Sequence, residues 1–73
     1  MRRYLAIFGG DYERRKVTEH NTLSGAQKQA KKNGCECDWS GTDSRTPSVR
    51  GYSLREIHHK DGEPSWTWIL ERD

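Results

Sequence analysis

The stretch HNTLSGAQKQAKKNG, His20 to Gly34, gives the clearest structural signal in this 73-residue sequence. Thr22 is a favourable N-cap residue immediately before Leu23, because its hydroxyl can accept a hydrogen bond from the first turn of a helix. Gly34 follows the last helix-forming residues and can adopt the left-handed conformation that often ends a helix. The stretch therefore predicts one helix, against which the rest of the chain must pack.

The two sides of this helix differ in chemistry. Leu23, Ala26 and Ala30 lie at positions i, i+3 and i+7 and form a narrow apolar stripe. The small alanines predict a close approach to a sheet. The opposite side has three basic residues, here called the helix lysines: Lys28, Lys31 and Lys32. This basic side is either a solvated surface that keeps a small protein in solution or a contact surface for a partner.

Two strands are expected before the helix. The segment RRYLAIF, Arg2 to Phe8, contains strand formers with apolar groups on both faces, which predicts a central strand. Gly9 and Gly10 are expected to end this strand, and the segment GGDYE, Gly9 to Glu13, is expected to turn the chain. The polar segment RRKVTEH, Arg14 to His20, predicts an edge strand, since its basic side chains would oppose stacking of sheet edges.

After the helix, the segment CECDWS alternates strictly between two kinds of residue. The pattern predicts a half-buried strand from Cys35 to Ser40, with Cys35, Cys37 and Trp39 on one face. Both cysteines are expected to pack under the helix as small apolar groups. We expect both thiols to be reduced, because neighbouring residues on one face of a strand do not suit disulfide geometry.

The remaining chain predicts a long loop followed by a hairpin. The ten residues GTDSRTPSVR, Gly41 to Arg50, have the composition of an exposed loop, which is either functional or a tolerated insertion. Two strand-like segments follow, Gly51–His59 and Ser65–Glu71. The Asp61-Gly62 pair between them is a strong turn signal and predicts that they form a hairpin.

The first strand of this hairpin contains an irregularity in its apolar pattern. Tyr52 and Leu54 share one face, but Ile57 is out of phase with them. A β-bulge near Arg55 or Glu56, or a strand with two apolar faces, would account for the shift.

The order of elements is strand, strand, helix, strand, strand, strand. Short connections and two hairpins predict a single α+β domain over residues 1–73, with a curved, antiparallel five-stranded sheet packed on one helix. Trp66 and Trp68 share a face of the last strand and are expected to belong to the core.

Composition narrows the class of protein. Hydrophobic residues make up 30% of the chain and charged residues 33%, but three Trp and three Tyr can build a core from few positions. Thirteen basic and eleven acidic residues give a net charge of +2, too balanced for a dedicated nucleic-acid-binding arm. No segment approaches the ~20 apolar residues of a membrane span, and no signal-peptide core begins the chain. We therefore expect a cytoplasmic protein without membrane contact.

Metal binding and catalysis are both disfavoured by the sequence. Cys35, Cys37, His58 and His59 have the required ligand chemistry, but zinc sites usually place two to four residues between paired cysteines. The adjacent histidines would also point to opposite faces of a strand. No nucleophile elbow, phosphate loop or paired-carboxylate motif is present. We predict no metal, no cofactor, no catalytic residues and no enzymatic activity.

A binding function remains, with basic residues as the expected contacts. Such groups suit phosphate backbones and also acidic or nucleic-acid-loaded protein complexes. The candidates lie in the second strand, the helix and the long loop: Arg14, Arg15, Lys16, Lys28, Lys31, Lys32, Arg45 and Arg50.

The pattern NTLSGAQKQAKKNGCECDWSG, with a hairpin before it and a KDG turn and Trp-containing strand after it, resembles small phage-encoded anti-CRISPR proteins. The likeness is to a type I-F inhibitor of similar length, in which a five-stranded antiparallel sheet wraps one helix. It covers most of the chain in element order, through the Ser/Leu-rich helix start, the Ala-Lys helix and the Asp-Gly turn. The long loop and the CEC segment depart from the family pattern.

This resemblance implies a monomeric, stoichiometric inhibitor that binds the Cas7-type backbone subunits of a type I CRISPR-Cas surveillance (Cascade-like) complex and blocks target DNA binding. It implies a binding face made by the first strand and the helix, with Tyr4, Lys31 and Lys32. Two alternatives remain open: a small nucleic-acid-binding regulator that uses the helix lysines directly on phosphates, and a structural accessory domain of a larger phage assembly.

Overall fold

The computed structural model describes residues 3–10, 14–37 and 46–73, which form an antiparallel five-stranded sheet with one helix packed on it. The elements are β1 (Tyr4–Gly10), β2 (Lys16–His20), α1 (Leu23–Lys32), β3 (Cys35–Cys37), β4 (Tyr52–Lys60) and β5 (Ser65–Arg72). The strand order in the sheet is β2-β1-β5-β4-β3. The predicted α+β fold and its order of elements are therefore confirmed. Among the described residues, no helix has the length and apolar character needed to cross a membrane.

Helix α1 begins and ends as its sequence predicts. The Thr22 hydroxyl accepts a hydrogen bond from the backbone N–H of Gly25 at 3.1 Å. At the other end Gly34 has a φ of +81° and donates its N–H to the carbonyl of Lys31 at 3.0 Å. Polar groups that the helix cannot pair internally are thus satisfied at both ends.

Each face of the sheet has its own apolar cluster. The cluster under the helix consists of Ala6, Ala26, Ala30, Cys35 and Ile69. The cluster on the other face consists of Leu5, Ile7, Ile57, Trp68 and Leu70. Both alanines of α1 are completely buried, which confirms the close approach of helix and sheet. Trp68 is a core residue, whereas Trp66 is only partly buried against the second cluster.

The predicted turn over Gly9 to Glu13 is wrong for its first two residues, and residues 11–13 lie outside the described residues. Both glycines belong to β1, which continues to pair with β5 until Gly10 lies opposite Ser65. A Cβ atom on Gly10 would overlap the carbonyl oxygen of Pro64 and lie 2.8 Å from the Cα of Ser65. A glycine is present because the two backbones approach too closely for a side chain.

The two edge strands of the sheet are β2 and β3. Strand β2 is an edge strand, as expected, but it begins at Lys16, so Arg14 and Arg15 precede it. Strand β3 occupies the opposite edge as Cys35–Cys37. The predicted continuation to Ser40, including Trp39, lies outside the described residues.

The described end of the predicted exposed loop is partly buried. Residues 46–50 include Pro47, which is buried, and Val49, which packs against the cluster on the face away from the helix. That face contains a large tryptophan, Trp68, so an apolar segment that covers it removes apolar surface from water. The expectation of an exposed loop is therefore wrong for Pro47 and Val49, whereas Ser48 and Arg50 are exposed as expected. Gly41 to Arg45 lie outside the described residues.

The predicted bulge is present in β4. Leu54 pairs with Leu70 and Glu56 pairs with Ile69, so Arg55 is the extra residue of the ladder. Because of this extra residue, Ile57 lies on the same face as Leu54 while Glu56 faces the helix.

Candidate functional site

The helix lysines form one exposed basic surface. Lys28, Lys31 and Lys32 are all exposed on α1, and the adjacent Lys31 and Lys32 follow Lys28 by three and four residues. The helix sequence LSGAQKQAKK has no acidic residue. Lys31 and Lys32 also lie in the last turn, where positive charge interacts favourably with the helix dipole.

Tyr4 lies at the other end of the helix from Lys31 and Lys32. It pairs with His20 on β2, and the Cβ of His20 lies 3.6 Å from the position that a Cβ on Gly25 would occupy. Tyr4 is half-buried against the cluster under the helix. Since ten helical residues span about 15 Å, a face formed by Tyr4 and the last helical turn would extend along the whole helix.

The other predicted contact residues are not part of the helix surface. Arg14 and Arg15 are exposed before β2, and the Cγ of Arg15 lies 3.0 Å from the position of a Cβ on Gly9. Arg50 is exposed in the turn that connects Val49 to β4, on the side of the second cluster. Arg45 lies outside the described residues. Among the described candidates, the structure places three lysines together on one helix and distributes the arginines elsewhere.

A second notable place is a group of polar side chains at the edge of the sheet, here called the polar cluster: Cys37, Glu56 and His58. Strand β3 pairs antiparallel with β4 so that Cys37 lies opposite His58. Opposite residues share a face, and Glu56 joins them because it lies two residues before His58. All three side chains are therefore on the helix side of the sheet.

The atoms of the polar cluster are close together. His58 Nε2 lies 2.9 Å from Glu56 Oε1. One ligand atom from each of the three residues lies within 4.8 Å of the other two. Gln27 of α1 donates from Nε2 to both carboxylate oxygens of Glu56, at 3.0 and 3.1 Å. The helix thus fixes the orientation of the carboxylate.

The polar cluster is buried at its base and open at one side. Glu56 is 9% exposed and His58 7% exposed, whereas Cys37 is exposed. An open hollow of about 370 Å³ lies over it, and its lining includes Lys31, Glu36, Cys37 and His58. A small ligand or ion could therefore reach the thiol and the imidazole from solvent.

The neighbouring Cys35 has a different environment. Its side chain is 3% exposed, and the Thr67 hydroxyl donates to its Sγ at 3.3 Å. Asn33 Nδ2 in turn donates to Thr67 Oγ1 at 3.1 Å. Burial raises the pKa of the Cys35 thiol, although the Thr67 hydrogen bond and the nearby Lys60 oppose this shift. Cys35 is therefore a packing residue with little thiolate at neutral pH.

The residues with metal-ligand chemistry that the sequence suggested differ from those that lie together in the structure. The expectation that His58 and His59 face opposite sides is confirmed: His59 contacts Trp66 on the far face, with ring centroids 5.2 Å apart. Both cysteines were expected beneath the helix, but only Cys35 is buried and Cys37 is exposed at the edge strand. Glu56 was not recognised as a partner, although its i, i+2 spacing from His58 placed both on one face of a strand.

The chain therefore presents two places with distinct chemistry. The helix lysines present three positive charges to solvent, whereas the polar cluster brings a thiol, an imidazole and a carboxylate into one small volume. Comparison with known proteins adds no assignment, since no family model, no curated protein and no solved structure matches this chain.

Proposed function

We propose that this protein acts by binding, as a non-enzymatic inhibitor that attaches to a nucleic-acid-loaded bacterial defence complex. The main support is the exposed surface of the helix lysines, which has three positive charges and no acidic residue on the same helix. Such a surface is attracted to acidic protein patches and to the phosphates of a bound guide RNA. The rigid packing of α1 on the sheet through Ala26 and Ala30 would present these charges in a fixed arrangement.

The identity of the complex in this proposal comes from the sequence resemblance. The partner is a type I CRISPR-Cas surveillance complex, bound through its Cas7-type backbone subunits in the bacterial cytoplasm. A monomer occupying that backbone would block the pairing of target DNA. Stoichiometric occupancy requires neither a catalytic group nor a cofactor in the inhibitor.

A second candidate function is direct binding of nucleic acid as a regulator. It is favoured by the spacing of the helix lysines, since side chains three and four residues apart point in similar directions from a helix. Lysine ammonium groups bind phosphates as point charges without reading sequence. The two candidates differ in salt dependence, because phosphate binding releases counterions and weakens steeply with salt.

The first experiment is capture of partners from bacterial lysate that contains a type I complex, using the tagged full chain with and without nuclease. Recovery of Cas subunits that persists after nuclease treatment supports the inhibitor. Recovery of nucleic acid alone, lost on nuclease treatment, supports the regulator and contradicts the inhibitor. Recovery of neither contradicts both candidates.

A charge reversal then locates the contact. We expect Lys28→Glu/Lys32→Glu to abolish capture of the partner, because it replaces two attractive charges with two repulsive ones. A matched control is Arg55→Glu/Arg72→Glu, which makes the same change in net charge at exposed residues of β4 and β5. Equal loss in both variants would indicate a general charge effect and contradict a contact at the helix. Lys31 is left unchanged because it also lines the hollow over the polar cluster.

A further inference from the structure

We propose that Cys37, Glu56 and His58 form a zinc-binding site with an open fourth coordination position. This inference is independent of the proposed binding function and uses none of the charges reversed to test it. It also departs from the sequence-based prediction that the chain holds no metal.

The backbone register brings the three side chains to one place. Cys37 and His58 are cross-strand partners, and Glu56 is the next residue on the same face of β4. In tetrahedral zinc sites the ligand atoms are roughly 3.5 Å apart, given metal bonds of about 2.0 to 2.3 Å. The three ligand atoms here lie within 4.8 Å of one another, so small side-chain rotations would bring them to binding distance.

The charge environment of Glu56 also favours a cation. Its carboxylate is almost completely buried and contacts the neutral amide of Gln27 and the ring of His58. A buried carboxylate is costly unless charge or strong hydrogen bonds compensate it. A divalent ion bound between Glu56, His58 and Cys37 would supply the compensating positive charge.

The ligand chemistry selects zinc over the common hard cations. A thiolate and an imidazole are poor ligands for calcium and magnesium, which prefer oxygen, whereas zinc accepts sulfur, nitrogen and oxygen together. On binding, the Cys37 thiol would release its proton and a nitrogen of His58 would present its lone pair to the metal. Gln27 would remain hydrogen-bonded to Glu56 and orient it, as outer partners of metal ligands commonly do.

The open side of the site faces the hollow beside Lys31 and Glu36. Three protein ligands leave one tetrahedral position for water or for a donor group of a bound molecule. The site is therefore suited to a zinc ion that is held by this chain and remains accessible from solvent.

Titration of the reduced, chelator-treated full chain with Zn²⁺ and with Co²⁺ tests the proposal. We expect one zinc per chain by calorimetry. With cobalt we expect a thiolate-to-metal charge-transfer band and the intense visible bands of tetrahedral coordination. Absence of the charge-transfer band from the spectrum of the wild-type chain with one equivalent of Co²⁺ would overturn the proposal, whatever the behaviour of any variant.

Paired variants identify the ligands. Cys37→Ser should remove the charge-transfer band, and His58→Gln should weaken zinc binding at least about tenfold. The matched controls Cys35→Ala and His59→Gln should bind like the wild type, because the first residue is buried beneath the helix and the second lies on the far face. Loss of the band in Cys35→Ala together with its retention in Cys37→Ser would contradict the assignment. Circular dichroism establishes that each variant compared is folded.

Discussion

Cys35 and Cys37 illustrate how one strand gives two identical side chains different chemistry. Cys35 lies under the helix, surrounded by apolar residues and hydrogen-bonded by Thr67. Cys37 is exposed and lies beside Glu56 and His58. Their alternation with Glu36 predicted a common face, but it could not predict that the helix covers only one of them.

The burial of Cys35 predicts a pH dependence of stability. Burial raises the pKa of this thiol above its ordinary value of 9.0, so the folded state binds its proton more tightly than the unfolded state. This contribution is complete below pH 9.0 and is lost as the pH rises through the raised pKa. We expect the free energy of unfolding of the wild type to fall above pH 9.0 relative to that of Cys35→Ala, measured by urea denaturation.

The free energy of unfolding of Cys35→Ala is subtracted from that of the wild type at each pH. The difference removes the pH dependence that comes from groups present in both proteins. Cys37→Ser provides the control and should retain the decline, because its substituted residue is exposed. A difference between the wild type and Cys35→Ala that is constant with pH would contradict the prediction.

The adjacent glycines of β1 allow a second test at this scale. We expect Gly10→Ala to destabilise the fold by about 1–3 kcal/mol, because its methyl group would overlap the backbone of Pro64 and Ser65. In Gly9→Ala the methyl group would lie 3.0 Å from the Cγ of Arg15 but no closer than 3.7 Å to a backbone atom, so the loss of stability should be smaller than in Gly10→Ala. Urea denaturation measures both, and equal effects would contradict the close approach at Gly10.

Among the elements, α1 was the most predictable because its signals are local. The cap at Thr22, the left-handed Gly34 and the alanine stripe are each read from neighbouring residues, and each occurs as predicted. The turn predicted at Gly9 and Gly10 failed for the opposite reason. Whether a glycine turns the chain or lets another strand approach depends on a strand that is distant in the sequence.

The alanine stripe predicts how closely α1 must lie on the sheet. We expect Ala30→Leu to lower the free energy of unfolding by about 1–3 kcal/mol, because Ala30 is fully buried and the core has no space for a larger side chain. Lys28→Leu, on the exposed side of the same helix, should change it by less than about 0.5 kcal/mol. Thermal or urea denaturation measures both changes, and an equal loss of stability in the two variants would contradict the close packing at Ala30.

In strand β4, the sequence predicted the bulge but not the contact with Cys37 that completes the polar cluster. The bulge was predicted from the phase of Tyr52, Leu54 and Ile57, and it places Glu56 and His58 on the helix side. Their contact with Cys37 depends on the pairing of β3 with β4 across the long connecting segment. Periodicity establishes which face a residue occupies but does not establish which residue lies opposite it.

At the scale of the whole molecule, the order of strands in the sheet makes both halves of the sheet depend on one central strand. Strand β5 lies at the centre, between β1 and β4, so it joins the amino-terminal hairpin to the rest of the sheet. It also contributes Trp68 and Leu70 to one apolar cluster and Ile69 to the other. The fold class could be predicted from element order, because few antiparallel arrangements suit one helix and five strands, but the central position of β5 was not among the predictions.

The central position of β5 predicts that a chain of residues 1–64 does not fold. Without β5, strands β1 and β4 have no common partner and both clusters lose their largest buried side chains. We expect the circular dichroism and amide chemical shifts of an unfolded chain, and no cooperative transition on heating. A chain that lacks Asp73 alone should fold, since it retains the whole of β5, and a cooperatively folded 1–64 chain would contradict the prediction.

The same strand order affects how the protein emerges from the ribosome. Translation proceeds from the amino terminus, so β1, β2, α1, β3 and β4 are all synthesised before the strand that joins them. Neither apolar cluster can therefore be completed until Ser65–Arg72 has left the exit tunnel, because both clusters include side chains of β5. For this chain, folding must follow synthesis of its last strand, and a chaperone that binds exposed apolar segments has the entire preceding interval in which to act.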